Sequence, residues 1–315
     1  MRTLHILAGA MLLMMACTGN KSVAAEGEAA ADSAGVDVPN LVESDMLVFE
    51  VVSYEDSSEY NIKVVDYSSD EDPAPYEVEK AKDTYKGTTL KAVGGKPEVV
   101  QFINQWLTLR AADKSLGDEV TAETVAAEYA KLKKEEGIAD VMAAMKQTTA
   151  AFLSASVDDE EEMPEMSFAS SNEIVSNIFI SWQTPTLLTL WEGGYEYNAG
   201  AAHGMPWGVG RTFDLKNLRL LTLDDIITNE GRPAVLKMII AQLRTEYKDV
   251  LDMMNPAGEI DFPSTTPSLR AEGVAFDYGA YEIGAYAIGM PGVVSPYTKL
   301  KPYLTPEVKE LLGME

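Results

Sequence analysis

The sequence predicts an α+β fold in which antiparallel sheets pack against helices. Strand-like and helix-like segments come in blocks along the 315 residues, whereas a doubly wound fold would alternate them strictly. Several segments are rich in β-branched and aromatic residues and alternate apolar with polar positions, as half-buried strands do. Other segments repeat apolar residues at helical spacing. No fixed-period repeat is visible, so the sequence does not predict a solenoid.

The first folded segments predict two antiparallel strands. Residues 46–54 and 60–67 are β-branched and aromatic, and the acidic and small residues between them predict a short connecting loop. Residues 70–75 (DEDPAP) should end any element, because proline lacks a backbone N–H and the residue before it avoids helical angles. This part of the chain is therefore expected to begin with a small hairpin.

Three helices are predicted next, at residues 97–112, 121–134 and 138–154. The first carries Pro97 in its first turn, and all three place apolar residues on one face. The acidic block 158–162 (DDEEE) is expected to be a solvated loop. A calcium site is the alternative, but calcium loops place oxygen ligands at alternating positions around a glycine turn, which this block lacks.

The second half of the chain returns to strands and closes with helical turns. Strands are predicted at 173–182, at 186–191 with 195–197, at 209–215, at 272–278 and at 292–297. Gly193 and Gly194 should interrupt the second of these strands, because glycine weakens strand interiors. A helix is predicted at 233–253, a loop at 255–266, and short helical turns at 299–304 and 306–312.

The N-terminal residues predict a bacterial lipoprotein. Residues 1–17 (MRTLHILAGAMLLMMAC) combine Arg2 with a mainly apolar run that is too short to span a bilayer comfortably and ends in Ala-Cys. Cys17, the only cysteine of the chain, is the expected lipidation site; the alternative is an ordinary signal peptide with an incidental cysteine. Residues 18–45 lack aromatic residues and are expected to form a flexible tether. The predicted location is the cell envelope, outside the cytoplasm, with lipid as the only membrane anchor.

The charge of the chain restricts its partners. Fifty acidic and 25 basic residues give a formal net charge of −25, which would repel nucleic acid and anionic lipid. An acidic surface either keeps a protein soluble or speeds encounter with cationic proteins. A single cysteine also excludes an internal disulfide framework and a metal site built from several thiolates.

Residues 191–215 hold the first candidate for chemistry. His203 is the only histidine outside the extreme N-terminus, and its neighbours in the sequence supply no metal ligand, so neither a metal nor a cofactor is expected. No G-x-S-x-G motif is present to supply a serine nucleophile. His203 is therefore interpreted as fixing a glycine-rich turn through the backbone, and the weaker alternative is catalysis. Asp277 and Glu282, which lie among aromatic residues, are the matching catalytic candidates for a glycan-active enzyme.

The order of several motifs resembles the C-terminal domain of the RsiV/PdaC-type extracytoplasmic family. These motifs are YEY at 195–197, GAAHG at 200–204, FDL at 213–215, LDDII at 223–227, VAF at 274–276, YEI at 281–283, Gly289 and Pro296-Tyr297. The resemblance covers roughly residues 186–304. It implies a two-part α+β body, with an N-terminal domain at 46–185 and the RsiV-like domain at 186–315. In the anti-sigma factor of this family the module is a lysozyme receptor, so the resemblance implies recognition.

The sequence thus predicts a membrane-anchored binding lipoprotein that recognises a cationic protein such as lysozyme, or a cell-wall glycan. The expected contact residues are Tyr195, Tyr197, His203, Trp207 and Tyr281. A peptidoglycan- or glycan-active hydrolase or deacetylase is the first alternative, and a structural envelope lipoprotein is the second.

Overall fold

The computed structural model describes residues 46–70, 74–117, 119–154, 165–168, 170–248, 251 and 259–314. The predicted signal peptide, Cys17, the tether at 18–45 and the acidic block at 158–162 lie outside these residues. The α+β class is confirmed, with a seven-stranded sheet, a three-stranded sheet and helices packed against them. No helix among the described residues is long and apolar enough to cross a membrane.

The chain opens with a long hairpin that the sequence did not reveal. Strand β1 (Val48–Val65) is continuous and pairs antiparallel with β2 (Tyr76–Gly94), so the predicted hairpin between 46–54 and 60–67 is wrong. The polar residues in the middle of β1 face solvent and lie opposite lysines of β2. Glu55 lies 3.6 Å from the Nζ of Lys86, and Glu59 lies 3.7 Å from the Nζ of Lys80. Their composition therefore marks an exposed stretch of strand and not a turn.

The three predicted helices are present. They are α1 (Pro97–Ala111), α2 (Ala122–Glu136) and α3 (Val141–Ser154). Thr121 caps α2 in a reciprocal arrangement with Thr124, and Gly137 ends the helix with φ of 73°, a backbone conformation that favours glycine. The buried face of α1, which includes Phe102, Ile103 and Trp106, lies against the large sheet.

The large sheet continues with β3 (Glu165–Met166), β4 (Glu173–Gln183), β5 (Leu187–Tyr197), β6 (Met205–Asp214) and β7 (Arg219–Leu220). Its strand order is β3-β1-β2-β4-β5-β6-β7. The pairings of β1 with β3 and of β2 with β4 are parallel, so the sheet is mixed where an antiparallel one was predicted. Helices α1 to α3 connect β2 to β4, and such a crossover allows parallel pairing. The β4–β5 pairing crosses the predicted domain boundary between residues 185 and 186.

The glycines of β5 do not interrupt the strand, which corrects the prediction of a break there. Gly193 and Gly194 pair in register with both neighbouring strands. A side chain at Gly194 would collide with the backbone carbonyl of Val175, and one at Gly193 would press on Trp207 and Gly208. Glycine is therefore needed at these positions because the neighbouring strands approach too closely for a side chain.

The C-terminal part forms a second layer. Its small sheet, in the order β10-β9-β8, consists of β8 (Ser268–Leu269), β9 (Gly273–Asp277) and β10 (Gly292–Pro296). The surrounding helices are α4 (Leu223–Ile226), α5 (Arg232–Glu246), a 3-10 turn (Tyr286–Ile288), α6 (Tyr297–Leu300) and α7 (Pro306–Leu311). Helix α5 ends at Glu246, so the prediction that one helix runs to residue 253 is wrong.

Two apolar cores lie on opposite faces of β5 and β6. On one face, Leu188, Leu190 and Phe213 pack with helices α1 to α3. On the other face, Leu187 belongs to the core of the C-terminal layer. Hydrogen bonds also join this face to the small sheet: Thr189 Oγ1 donates to the carbonyl of Leu269 at 2.6 Å, and the amide of Leu269 donates to Thr212 Oγ1 at 2.9 Å. The large sheet is therefore the middle layer.

A short polar network fastens β7 to the C-terminal helices. Asp225 Oδ2 accepts 2.7 Å hydrogen bonds from the backbone and side chain of Thr222, and its Oδ1 lies 2.8 Å from Arg219 Nη1. Arg219 also reaches Glu307 at 3.0 Å. Burial alone would raise the pKa of Asp225, but the bonds from Thr222 and the charge of Arg219 outweigh it and hold the pKa below its usual value of 3.8.

We expect Asp225→Asn to make the protein less stable at neutral pH and less sensitive to acid. The carboxylate stabilises the fold above its ordinary pKa, and this contribution is lost as the pH falls through the lower folded-state pKa. The difference in melting temperature between the two proteins should be constant from about pH 5 to 7 and should shrink below about pH 4. Thermal unfolding across this range measures it, with Glu50→Gln at an exposed position of β1 as the control. A constant difference down to the lowest pH would contradict the assignment.

Candidate functional site

The loop that joins β5 to β6 carries His203 to a group of tyrosines. The imidazole Nε2 of His203 lies 3.0 Å from the hydroxyl of Tyr281, and its Nδ1 lies 3.1 Å from the carbonyl oxygen of Gly204. The ring also stacks on Tyr286, with centroids 3.8 Å apart and planes inclined by 21°. Tyr286 in turn donates a 2.8 Å hydrogen bond to the carbonyl of Gly204. Both edges and one face of the imidazole are thus engaged.

Tyr281 and His203 are the exposed members of this group. Tyr281 is 51% exposed, and its backbone has φ of 67°, which is rare for a residue other than glycine. The Tyr281 and Tyr286 rings lie 5.6 Å apart. A strained backbone at an exposed aromatic residue persists only where the surroundings fix it, and such positions concentrate at functional sites.

Tyr195 completes the arrangement from the surface of the large sheet. A side chain at Gly204 would collide with the Tyr195 ring, so glycine allows the loop to lie directly on it. We call Tyr195, His203, Tyr281 and Tyr286 the aromatic cluster. Three of these residues were predicted contact residues, and the structure brings them together from segments far apart in the sequence.

The other two predicted contact residues lie elsewhere. The hydroxyl of Tyr197 is within 3.2 Å of Ser170 Oγ and donates to the carbonyl of Ala201 at 3.1 Å, so it fastens the base of the loop. Trp207 lies on β6 opposite Gly194 and lines a cavity on the helix-covered face of the large sheet. It therefore does not contribute to the aromatic cluster.

The predicted catalytic carboxylates are engaged in structural bonds. Asp277 Oδ2 lies 2.7 Å from Arg270 Nη2, and burial raises the pKa of Asp277 although Arg270 opposes part of the effect. Glu282 accepts hydrogen bonds from the backbone amides of Gly279 and Ser264. Within the described ranges, no carboxylate is hydrogen-bonded to His203, and no group of three or more His, Cys, Asp or Glu side chains is placed to hold a metal.

A second polar feature lies across the sheet, in the cavity lined by Trp207. This cavity has a volume of about 430 Å³ and lies between the large sheet and helices α1 and α3. At one wall the side chain of Glu192 is only 4% exposed and accepts a 2.7 Å hydrogen bond from Arg110 Nε on one oxygen. Its other oxygen accepts a 3.2 Å bond from Arg211 Nε. The charge of this buried carboxylate is thereby balanced by two guanidinium groups.

The fold is shared with a solved bacterial structure. The chain matches the crystal structure of a DUF3298 family member from Bacteroides fragilis with a TM-score of 0.50 and 20% sequence identity, over 84% of this chain and 97% of that one. A DUF3298 family protein from Pseudomonas aeruginosa matches with a TM-score of 0.46 and 15% identity, over 82% and 96%. No protein-family model and no curated protein sequence matches the chain. At this level of identity the first match shows the fold.

Sequence reasoning missed the cavity and the role of Glu192. One signal was available: Leu188, Leu190 and Glu192 are alternate residues of one strand, so a carboxylate follows two apolar residues on a single face. A buried acid in that position requires cationic partners. Those partners, Arg110 and Arg211, come from a helix and another strand, which no local pattern connects to Glu192.

Proposed function

We propose that the protein is a lipid-anchored binding protein of the cell envelope that recognises a cationic protein through the aromatic cluster. The observation that carries this proposal is the exposed Tyr281, held at positive φ and bonded to His203. Tyrosine is enriched among the residues that dominate binding energy at protein interfaces, because a rigid ring contributes a large contact area at low entropic cost.

The contact between His203 and Tyr281 also supports the RsiV/PdaC-type resemblance. These residues belong to the two motifs that carry the resemblance, AHG at 202–204 and YEI at 281–283, which lie far apart in the sequence. In the fold the two motifs meet within 3.0 Å. A recognition function implied by the resemblance would therefore be located at the aromatic cluster, and lysozyme is the natural probe for it.

The net charge favours a cationic partner over an anionic one. With −25 formal charges the chain attracts basic proteins, and such attraction mainly accelerates encounter and weakens with salt. The alternative of a glycan hydrolase or deacetylase has less support, because Asp277 and Glu282 are held by Arg270 and by backbone amides. Lipid attachment at Cys17 rests on the sequence of residues 1–17.

We expect the full-length protein to bind lysozyme and Tyr281→Ala to weaken binding by about tenfold or more, as loss of an interface anchor does. His203→Ala should also weaken binding, because it removes an exposed ring of the cluster and the hydrogen-bond partner of Tyr281. Biolayer interferometry at about 25 and 150 mM salt measures both effects, and affinity should fall at the higher salt. Phe179→Ala on β4, also 51% exposed, is the matched control and should bind normally.

Two results would contradict the proposal. If Tyr281→Ala leaves binding unchanged, the aromatic cluster is not the recognition surface. If neither lysozyme nor another basic protein shows salt-sensitive binding, a cationic partner is excluded.

Lipid attachment is measured in the same preparation. The parent should incorporate labelled fatty acid and Cys17→Ser should not, and incorporation that persists in the variant would argue against lipid attachment at Cys17.

A further inference from the structure

The floor of the 430 Å³ cavity is a trough that crosses four strands of the large sheet. Gly87, Ser176 and Gly194 are in register on β2, β4 and β5, and Trp207 follows in the same row on β6. Because neighbouring strands are about 4.8 Å apart, this row is about 14 Å long. Of this row, Gly87 and Ser176 are small residues that line the cavity, and the indole of Trp207 closes one end.

The walls and roof of the trough are built from larger residues. Tyr85 and Glu196 lie on one side of the row, and Thr89 and Glu192 lie on the other. Helix α3 covers the β2 end, where a Cβ at position 87 would lie 2.6 Å from the terminal methyl of Met145. A larger residue at this position would therefore push into the trough.

Thr89 supplies a buried hydroxyl group at the wall of the trough. Thr89 lines the cavity and is 4% exposed, and its hydroxyl oxygen has no hydrogen-bond partner among the described residues. Buried hydroxyl groups are nearly always paired, since an unpaired one loses its bonds to water without compensation. A hydroxyl-bearing ligand in the trough would supply the missing partner.

The charges of the cavity select against an anionic ligand. Among the described lining residues, Glu192, Glu196 and Asp113 face one cation, Arg110, and both oxygens of Glu192 are already bonded to arginines. The remaining lining includes two aromatic rings, Trp207 and Tyr85, a set of hydroxyl-bearing residues, and the apolar residues Ala111, Met145, Ile174 and Ile178. Sugar rings match this combination because their C–H faces stack on aromatic rings while their hydroxyl groups form hydrogen bonds.

We propose that this cavity is a binding site for a short uncharged or amino-sugar saccharide of one or two residues. Its volume falls within the range of about 300–1,000 Å³ that is typical of small-molecule sites. The saccharide lies along the trough, stacks on Trp207 and bonds to Thr89. The site lies on the opposite face of the sheet from the aromatic cluster, and it stands independently of the protein partner proposed there.

The test is calorimetric titration of the full-length protein with N,N′-diacetylchitobiose, comparing two threonine variants. Thr89→Val keeps the shape of the side chain but removes the hydroxyl, and we expect it to lower affinity by about three- to tenfold, the worth of one hydrogen bond. Thr149→Val is the matched control: the Thr149 hydroxyl is also buried and has no partner in the part of the chain that the structure describes, but Thr149 does not line the cavity. It should bind like the parent.

Stability distinguishes loss of binding from loss of fold. Both threonine variants should melt at or above the parent temperature, because each removes an unpaired buried hydroxyl. Gly87→Val, which fills the trough, should abolish binding, and Tyr281→Ala should leave it intact. The proposal is overturned if the parent does not bind the disaccharide, if both threonine variants lose affinity equally, or if a phosphorylated sugar binds more tightly than the uncharged one.

Discussion

Phe213→Ala should lower the free energy of unfolding by about 3–5 kcal/mol, the cost of truncating a fully buried aromatic side chain. Phe213 is 0% exposed and lies on β6 beneath α1. Its ring meets the edges of two others, with centroids 4.9 Å from Trp106 and 5.9 Å from Phe102. Alanine would remove both ring contacts and leave a cavity where the helical layer is attached to the sheet.

Urea unfolding measures this effect as a lower midpoint with an unchanged slope. Phe213→Leu separates the two contributions, because it restores most of the volume without the aromatic edges and should cost clearly less. Phe179→Ala is the control at an exposed position and should change stability by about 0.5 kcal/mol at most. An equal effect at positions 213 and 179 would show that the layer is not attached through Phe213.

Glu192→Gln should also destabilise the protein, by about 2–4 kcal/mol. The substitution keeps the volume of the side chain but leaves Arg110 and Arg211 facing an amide instead of a carboxylate. Removing one partner of a fully enclosed ion pair costs about 3–5 kcal/mol, and we expect less here because the arginine side chains are 23% and 30% exposed. The urea unfolding midpoints of the parent and of Glu192→Gln, both at neutral pH, measure this loss of stability.

Two further variants decide whether charge causes this loss. Glu55→Gln removes an exposed carboxylate whose nearest lysine nitrogen is 3.6 Å away, and it should have almost no effect. Replacing Arg110, Glu192 and Arg211 together with Met, Leu and Met should recover most of the stability, because no unpaired charge remains. If the triple variant is the least stable, the arginine–glutamate group stabilises the fold through its bonds and not merely through mutual neutralisation.

The elements that could be predicted are those in which apolar residues recur at the spacing of a helix or a strand. The apolar spacing of α1, from Val99 to Leu109, and the proline at its start determine its limits almost to the residue. Strand β1 shows the opposite case. Its middle resembles a loop because the edge of a sheet tolerates polar residues, and β2 went unrecognised because lysines and threonines alternate with its small buried residues. Only the pairing of the two strands explains either sequence.

The same distinction applies to the candidate sites. His203 and Tyr281 could be singled out from the sequence, because glycines surround the histidine and a family resemblance includes both residues. Tyr286 joins them only through the fold, by stacking 3.8 Å from the imidazole. The trough could not be foreseen at all, since strand register brings Gly87, Ser176 and Trp207 into one row. Register depends on the complete sheet.

Strand β5 contributes successive residues to both faces of the sheet. Glu192 points to the helical layer, whereas Trp191 and Tyr195 belong to the face of the C-terminal layer. A one-residue insertion or deletion within β5 would turn every side chain beyond it to the opposite face of the sheet. Alternate residues of this one strand therefore serve two different surfaces. Relatives of this protein can change either surface by substitution but not by a change in strand length.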